Sequence, residues 1–214
     1  MQIRWHGHSC FEFSDGETTV VIDPHDGKSI GIRPPSVTAD IVLMTHDHYD
    51  HNASRAIGGD HKDHKFHNGR FECRGIQFYG YSTFHDTEKG AKRGLNTIYR
   101  FSMDDISICH CGDLGDIPND QVIKQIQGID VLMIPVGGFY TMELDMIKKF
   151  IEMVNPNIVI PMHYRFGGLT IDIDSIDGFL GMVPEDNIVY VGNSIEILPE
   201  DIPETKECWV FDRK

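Results

Sequence analysis

The feature that most constrains this chain is a repeated pattern in which a short apolar run leads to a histidine or an aspartate. Short runs rich in β-branched residues are typical of buried strands. A polar side chain just past such a strand suits a site built at the carboxyl edge of a sheet. The pattern therefore predicts a sheet edge that gathers metal-binding side chains. The runs are Thr19–Ile22 before Asp23, Ile41–Met44 before His46, Ile76–Tyr79 before His85, Ile106–Ile108 before Asp113, and Ile158–Ile160 before His163.

Helices are predicted between and after these runs. One helix is expected to begin with Thr141 as its N-cap and to carry a single apolar face. It is expected to end at Asn155, because the residue before a proline avoids the α region. Shorter helices are expected over 119–127 and 175–182. Sheet and flanking helices make a layered α/β fold, and 214 residues suit one domain spanning 1–214.

The charge balance of the chain restricts its partners. Its 33 acidic and 19 basic side chains give a net charge of −14 at pH 7. Nucleic-acid binding rests largely on lysine and arginine neutralising phosphates, so no DNA or RNA partner is expected. No apolar stretch approaches the roughly 18 residues of a membrane span, so no membrane partner is expected. A small-molecule substrate is favoured, and the sequence leaves a homo-oligomer open.

The cysteines indicate a reducing compartment. Five is an odd number, and they are too sparse for a disulfide scaffold. The segment Met1–His6 lacks the basic-then-apolar pattern of an export signal, so a cytoplasmic location is expected. Cys109 and Cys111 flank His110, but no second cysteine pair lies nearby to complete a tetrahedral metal site. A structural role is therefore favoured for these thiols.

The most informative segment is Thr45-His46-Asp47-His48-Tyr49-Asp50-His51, which directly follows an apolar run. In extended backbone, residues two apart project to the same side, so His46 and His48 can reach one ion together. The chain must then turn, which lets Asp50 and His51 serve a second ion. Imidazole and carboxylate ligands suit zinc, and also iron, manganese or cobalt. The alternative is a solvated, histidine-rich loop.

This His-x-His-x-Asp-His run resembles the signature of the metallo-β-lactamase superfamily. Further matches follow along nearly the whole chain: Asp23 in Ile-Asp-Pro, His85 in Phe-His-Asp, Asp113 in Cys-Gly-Asp and His163 in Pro-Met-His-Tyr. Three other segments are similar to a small branch of that superfamily, which contains the L-ascorbate-6-phosphate lactonase. These segments are Trp5–Phe11, Arg93–Thr97 and Pro135–Met142.

The resemblance implies a four-layer αββα sandwich and two divalent metal ions, with Zn²⁺ favoured over Mn²⁺ or Fe²⁺. It assigns His46, His48 and His85 to one metal and Asp50, His51 and His163 to the other, with Asp113 bridging them. It makes Asp23 a hydrogen-bonding partner of the ligand loop rather than a ligand. Two such ions about 3.5–4 Å apart activate a bridging water to hydroxide at neutral pH. Asp50 would orient that nucleophile and accept its proton, as the catalytic residue.

Four residues are candidates for substrate contact, each with a structural alternative. Arg93 and Asn96 lie in a glycine-bounded loop after His85, Arg165 lies two residues after His163, and His8 lies in the first of the branch motifs. Arginine suits an anionic group because its planar guanidinium can donate two hydrogen bonds. Three further histidines at a spacing of three suggest another metal site, but a mobile surface loop is the favoured interpretation. They are His61, His64 and His67.

The favoured function is hydrolysis of a small anionic metabolite, with a lactone first and a phosphodiester second. The chain is too short for the large inserted domain of nucleases in this superfamily, and its charge also argues against a nuclease. An iron-dependent redox enzyme is one alternative, although diiron reductases of this fold usually carry glutamate where this chain has His48. A non-catalytic metal-binding module is another, and its usual sign is a lost ligand.

Overall fold

The structure, a computed structural model, describes residues 1–212. Its α-helices are α1 (Asp120–Ile126), α2 (Leu144–Val154) and α3 (Asp177–Leu180). Its strands are β1 (Gln2–Gly7), β2 (Cys10–Ser14), β3 (Thr19–Ile22), β4 (Ile41–Met44), β5 (Lys62–Lys65), β6 (Gly69–Cys73), β7 (Ile76–Phe84), β8 (Leu95–Met103), β9 (Ile106–His110), β10 (Val131–Pro135), β11 (Ile158–Met162), β12 (Ile188–Gly192), β13 (Ser194–Glu196) and β14 (Glu207–Phe211).

The strands form two mixed sheets. The first has six strands in the order β13-β1-β2-β3-β4-β5, and the second has eight in the order β12-β14-β11-β10-β9-β8-β7-β6. Strands β3 and β4 run parallel, as do β9, β10 and β11. Their carboxyl ends therefore share one edge in each sheet. The predicted polar residues after β3, β4, β9 and β11 all emerge at these edges.

One apolar core joins the facing sides of the two sheets. It contains Ile22 and Leu43 from the first sheet and Ile108 and Ile160 from the second, all fully buried. Helices α1 and α2 pack on this core and flank the eight-stranded sheet. The other side of the first sheet is covered mainly by irregular chain around Ile57, next to the 3-10 turn Ser54–Ala56. The predicted sandwich is confirmed in its two facing sheets and in the helical layer on the second sheet, and short turns stand where the other helical layer of the αββα arrangement was expected.

Two of the predicted helices differ in their bounds. Helix α2 begins after Glu143, because Thr141 lies in a turn where its N–H donates to the carbonyl of Gly138 at 3.3 Å. Its predicted end is confirmed: Asn155 closes it in the left-handed region at φ 51°. Helix α3 covers only Asp177–Leu180 of the predicted 175–182. No helix within residues 1–212 is both long and apolar enough to cross a membrane.

The predicted mobile loop around His64 is an ordered edge strand instead. His64 lies in β5, which pairs in parallel with β4, and its ring stacks on Phe71 with centroids 4.3 Å apart. His61 Nδ1 lies 2.7 Å from Asp63 Oδ1, and His67 also packs on Phe71, at 4.4 Å. A polar strand at a sheet edge carries no apolar alternation, so periodicity did not reveal it.

Candidate metal centre

Asp23 fixes the loop that follows β4. Its Oδ1 accepts a hydrogen bond from Thr45 N at 2.8 Å, and its Oδ2 accepts one from Thr45 Oγ1 at 2.7 Å. The same Oδ2 lies 2.9 Å from Nδ1 of His51. Because β3 and β4 are parallel neighbours, Asp23 at the end of one strand meets Thr45 at the end of the other. Asp23 therefore holds both ends of the histidine loop, and it directs Nε2 of His51 away from itself.

Four histidines converge on one carboxylate oxygen. Oδ2 of Asp113 lies 3.6 Å from Nε2 of His46, 3.2 Å from that of His51, 3.3 Å from that of His85 and 3.1 Å from that of His163. These residues come from four separate strand ends and from both sheets. The arrangement gives Asp113 a central position between two groups of side chains.

The two groups have the composition of ligand sets. Ligand atoms of His46, His48 and His85 all lie within 4.8 Å of one another. The same holds for a second group of four, His8, Asp50, His51 and His163. The His48 ring packs 4.6 Å from that of His46 and 4.9 Å from that of His85. Thus the structure brings together all seven side chains that the resemblance assigned to metal, and it adds His8.

The chemistry of these buried atoms fits a bound cation. Nε2 of His46, Nε2 of His51 and Oδ1 of Asp113 are buried and have no hydrogen-bond partner. Leaving buried polar atoms unpaired is costly, so such groups require a partner. Imidazole nitrogens and carboxylate oxygens converging on one space are ligands that divalent transition metals accept. Bound divalent cations would satisfy these atoms and offset the local negative charge.

His8 lies among the predicted ligands rather than at the mouth of the site. It is fully buried, and its Nε2 is 3.0 Å from Oδ2 of Asp50. Its ring centroid is 4.2 Å from that of His163, whose N–H donates to the His8 carbonyl at 3.3 Å. This placement replaces the hypothesis of a substrate contact with a contact to Asp50. The two residues are 42 positions apart, and the sequence carries no signal that pairs them.

Asn96 positions Asp113 instead of reaching substrate. Its side chain is buried, and its Oδ1 accepts a hydrogen bond from Asp113 N at 3.0 Å. Its Nδ2 donates to Thr83 Oγ1 at 3.0 Å and to the carbonyl of Cys111 at 2.8 Å. A Cβ at Gly112 would clash with Asn96 Oδ1, so the Cys-Gly-Asp motif needs glycine there. The amide is therefore fully engaged in holding the loop that carries Asp113.

The two candidate arginines lie in different cavities. Arg93 lines a cavity of about 290 Å³ above the cluster. Arg165 lines a separate cavity with Glu143 and Asp174, so the hypothesis that it clamps substrate at the metal centre is not supported by its position. The other residues around the first cavity are His48, Tyr49, Asp50, His85, Asp113, Tyr140, His163 and Ile171.

A residue that the sequence analysis missed organises the Arg93 loop. Oδ1 of Asp86 accepts hydrogen bonds from the backbone N–H groups of Glu88 and Gly90, at 2.8 and 2.9 Å. Its Oδ2 accepts those of Lys92 and Arg93, at 3.0 and 2.7 Å. Because one carboxylate binds four N–H groups, the loop is fixed over the cavity. The signal was the Asp after His85, followed by a turn rich in glycine and lysine.

The charge states in the cluster suit metal ligation. Burial, together with the charge of His51, holds the pKa of His46 well below its usual value, so its lone pair is available. Burial would raise the pKa of Asp113, but the neighbouring imidazoles of His163, His51 and His46 lower it well below its usual range. Burial would lower the pKa of His51, but Asp113, Asp50 and Asp23 raise it well above its usual value. Without metal, the cluster therefore carries ionised carboxylates and a proton on His51.

Metal binding is expected to release about one proton at neutral pH, because a cation at Nε2 of His51 displaces the proton held there. The pKa of His51 is raised, so this proton is still bound at neutral pH. At pH values below that pKa, the apparent association constant for the metal should therefore rise about tenfold for each pH unit. Calorimetric titration of chelator-treated protein with Zn²⁺, in buffers of different ionisation enthalpy, measures the protons released. A binding enthalpy that does not depend on the buffer would contradict the prediction, and His67→Ala serves as a control outside the cluster.

The three kinds of comparison with known proteins agree with one another. Residues 2–163 match the family model described as a β-lactamase superfamily domain. UPF0173 metal-dependent hydrolases of Thermoplasma acidophilum and Archaeoglobus fulgidus are each 28% identical, over 189 and 199 residues, covering 77% of this chain and 84% of each relative. A solved Thermotoga maritima structure, described as a candidate Zn-dependent hydrolase of the metallo-β-lactamase superfamily, has a TM-score of 0.81 and 31% identity. The match covers 98% of this chain and 97% of that one.

The matched segment 2–163 contains the whole cluster, from His8 to His163. The structural match extends this agreement over nearly the full chain, at an identity above the level that indicates a shared fold alone. By sequence, by fold and by the residues gathered at its sheet edge, the chain belongs to the metallo-β-lactamase superfamily, and it is similar to the UPF0173 metal-dependent hydrolases.

Proposed function

We propose that the chain is a dinuclear metal-dependent hydrolase that acts on a small anionic metabolite. The observation that carries the proposal is the convergence of four histidine Nε2 atoms on Oδ2 of Asp113, at 3.1–3.6 Å. A carboxylate between two imidazole groups suits a bridging ligand. His46, His48 and His85 would hold one ion, and Asp50, His51 and His163 the other. Zn²⁺ is the favoured metal for this donor set, with Mn²⁺ or Fe²⁺ as alternatives.

The protein's own residues have distinct roles in this proposal. When bound, the ions supply Lewis acidity, which makes water a nucleophile at neutral pH and stabilises developing oxyanion charge. Asp50 lines the cavity, and its carboxylate would orient the attacking water and accept its proton. His8 holds Asp50 through Oδ2, leaving the remaining carboxylate edge for this task. Asp23 and Asn96 hold the backbone of the two loops that carry the ligands.

The cavity favours a small substrate with an anionic group. Its volume of about 290 Å³ lies at the lower end of the roughly 300–1,000 Å³ of ordinary ligand pockets. Arg93 lies on its wall, where a guanidinium can hold a phosphate or carboxylate by two hydrogen bonds. Charge acts within about one Debye length, roughly 8 Å at physiological salt, so this local site can attract anions despite the net charge of −14. A lactone or a phosphoester fits this description, and the lactone rests on the resemblance to the lactonase branch.

Metal analysis is the direct test of the proposed function. Fully loaded protein is expected to bind close to two divalent ions per chain, because each of the two groups has its own set of ligands. Inductively coupled plasma measurements, followed by a screen of lactones, phosphoesters and thioesters, check both parts of the proposal. Saturation at one ion would contradict the dinuclear centre. Iron with a visible absorption band, and no hydrolysis of any ester, would instead favour redox chemistry.

A further inference from the structure

Phe139 lies beside the cavity, in contact with two of the residues that line it. Its side chain is 63% exposed, although it is a large apolar group. Its backbone has a φ of 54°, in the left-handed region that bulky residues rarely adopt. Gly138 before it has a φ of 57°, and the two residues form the tight turn that follows β10. Exposure and backbone strain therefore occur in the same residue, and both are unfavourable in the protein alone.

The neighbours of Phe139 belong to the cavity. Its ring lies 4.7 Å from that of Tyr140, at an angle of 78°. Arg93 lies over the Tyr140 ring at 5.2 Å, and its Nη2 donates to the carbonyl of Phe139 at 3.3 Å. Tyr49, which is 58% exposed, also lines the cavity. We call Tyr49, Phe139 and Tyr140 the aromatic rim.

Phe139 and Tyr49 remain exposed in the described fold, whereas Tyr140 is partly buried against the cluster of Ile30, Leu169 and Ile173. Backbone strain of this kind clusters at ligand sites, where binding requires the strained conformation. Apolar side chains grouped at the edge of a cavity mark surfaces that a ligand covers. Aromatic rings bind flat apolar groups through stacked or edge-to-face contacts, which add to the free energy gained by burying the apolar area. The rim stands next to Arg93, which is the arginine that lines the cavity among residues 1–212.

We propose that the aromatic rim binds a flat apolar group of the substrate while Arg93 holds its anionic group. This inference rests on the proposed hydrolase function and narrows its substrate class. The substrate is an organic anion that carries an aryl or similarly flat unsaturated group close to its charge. A bare sugar phosphate lacks that group and would leave Phe139 uncovered. Phe139 is thus a specificity-determining residue outside the metal ligands.

A pair of phosphonates tests the rim without requiring hydrolysis. Phenylphosphonate and methylphosphonate carry the same anionic head, and neither has an ester bond to cleave. Metal-loaded wild-type protein is expected to bind phenylphosphonate about tenfold more tightly, a difference that one stacked ring can supply. Phe139→Ala should remove this preference and leave the affinity for methylphosphonate unchanged. Isothermal titration calorimetry at fixed ionic strength, with metal content checked, gives both dissociation constants.

Three further variants separate the effect of the aromatic ring from effects of backbone strain and of aromatic rings elsewhere. Phe139→Trp should retain the preference, because it restores an aromatic face. Phe139→Gly should remove it while keeping Tm at or above the wild-type value, because glycine accepts the left-handed φ. Tyr190→Ala removes an aromatic ring that is 71% exposed on β12, outside the cavity lining, and should change neither constant.

Several results would overturn the proposal. These are equal affinities for the two phosphonates in wild type, no binding of either one, or a preference that survives Phe139→Ala. If light scattering gave Phe139→Ala a lower mass than wild type while the preference for phenylphosphonate remained, Phe139 would be a contact between copies of the chain. The proposed function is tested separately. If the protein discriminates between the two phosphonates but hydrolyses no ester, the proposal about the rim is supported and the hydrolase assignment is wrong.

Discussion

Replacing Asp113 with alanine is expected to remove most of the bound metal and, with it, the hydrolytic activity. The side chain is buried, and its Oδ2 is shared by four histidine nitrogens. Without it, four imidazoles face one another with no anion between them, and a bound cation would lose a carboxylate ligand. Removing even an outer hydrogen-bond partner of a metal site costs roughly 10–100-fold in affinity or activity, so the loss here should exceed that range.

Metal titration and steady-state kinetics of Asp113→Ala measure this effect. The matched control is Asp116→Ala in the same loop, whose carboxylate accepts only the N–H of Ile117 among its described hydrogen bonds. That control should keep both metals and full turnover. Circular dichroism must show that both variants are folded. A folded Asp113→Ala protein that still binds two ions with the wild-type affinity would show that the carboxylate is not the bridge.

Replacing Asp50 with alanine is expected to reduce turnover by at least about 10²-fold, the scale for a group that positions or deprotonates a nucleophile. Burial would raise the pKa of Asp50, but the charge of His51 and the hydrogen bond with His8 hold it below its usual range. The carboxylate is therefore ionised at neutral pH. Because Asp50 lies on the cavity wall and outside the apolar core, the circular-dichroism spectrum should be almost unchanged.

Asp47→Ala is the matched control for Asp50→Ala. Asp47 lies in the same loop, but its side chain is exposed and its Oδ1 accepts a hydrogen bond from Asn52 at 2.8 Å. The control should retain turnover within about twofold, as expected for a surface substitution away from the site. Metal content must be matched between the proteins, since Asp50 is also a proposed ligand. Full activity of Asp50→Ala on an identified substrate would rule out its role as the base.

The apolar runs and the residues after them predicted much of the fold and most of the metal centre. A strand has a fixed direction, so a polar residue just past its end must lie at the edge of a sheet. This reasoning, extended by the family resemblance, located His46, Asp113 and His163 correctly at one edge. A short helix was also expected over 119–127, and α1 spans Asp120–Ile126 with Asn119 as its N-cap, which accepts hydrogen bonds from Gln121 N and Val122 N.

The substrate contacts could not be predicted in this way. A spacing along the chain says that Asn96 and Arg165 lie near His85 and His163, but not which way their side chains point. Asn96 turns inward to bind the loop of Asp113, and Arg165 lines another cavity together with Asp174. His8 follows β1 and Asp50 lies in the loop after β4, and the two meet only because the ends of these strands of the first sheet lie at the cluster.

The sequence by itself determined the ligand types, the direction of the strands and hence the edge at which the metal centre forms. These properties are local, since they depend on residue chemistry and on neighbours in the chain. The tertiary structure alone decided which side chains converge on Oδ2 of Asp113 and which of the two candidate arginines lines the cavity. It also decided that Phe139 stands strained and exposed beside Tyr140. Those properties depend on contacts between segments far apart in the chain, and such contacts arise only when the two sheets pack.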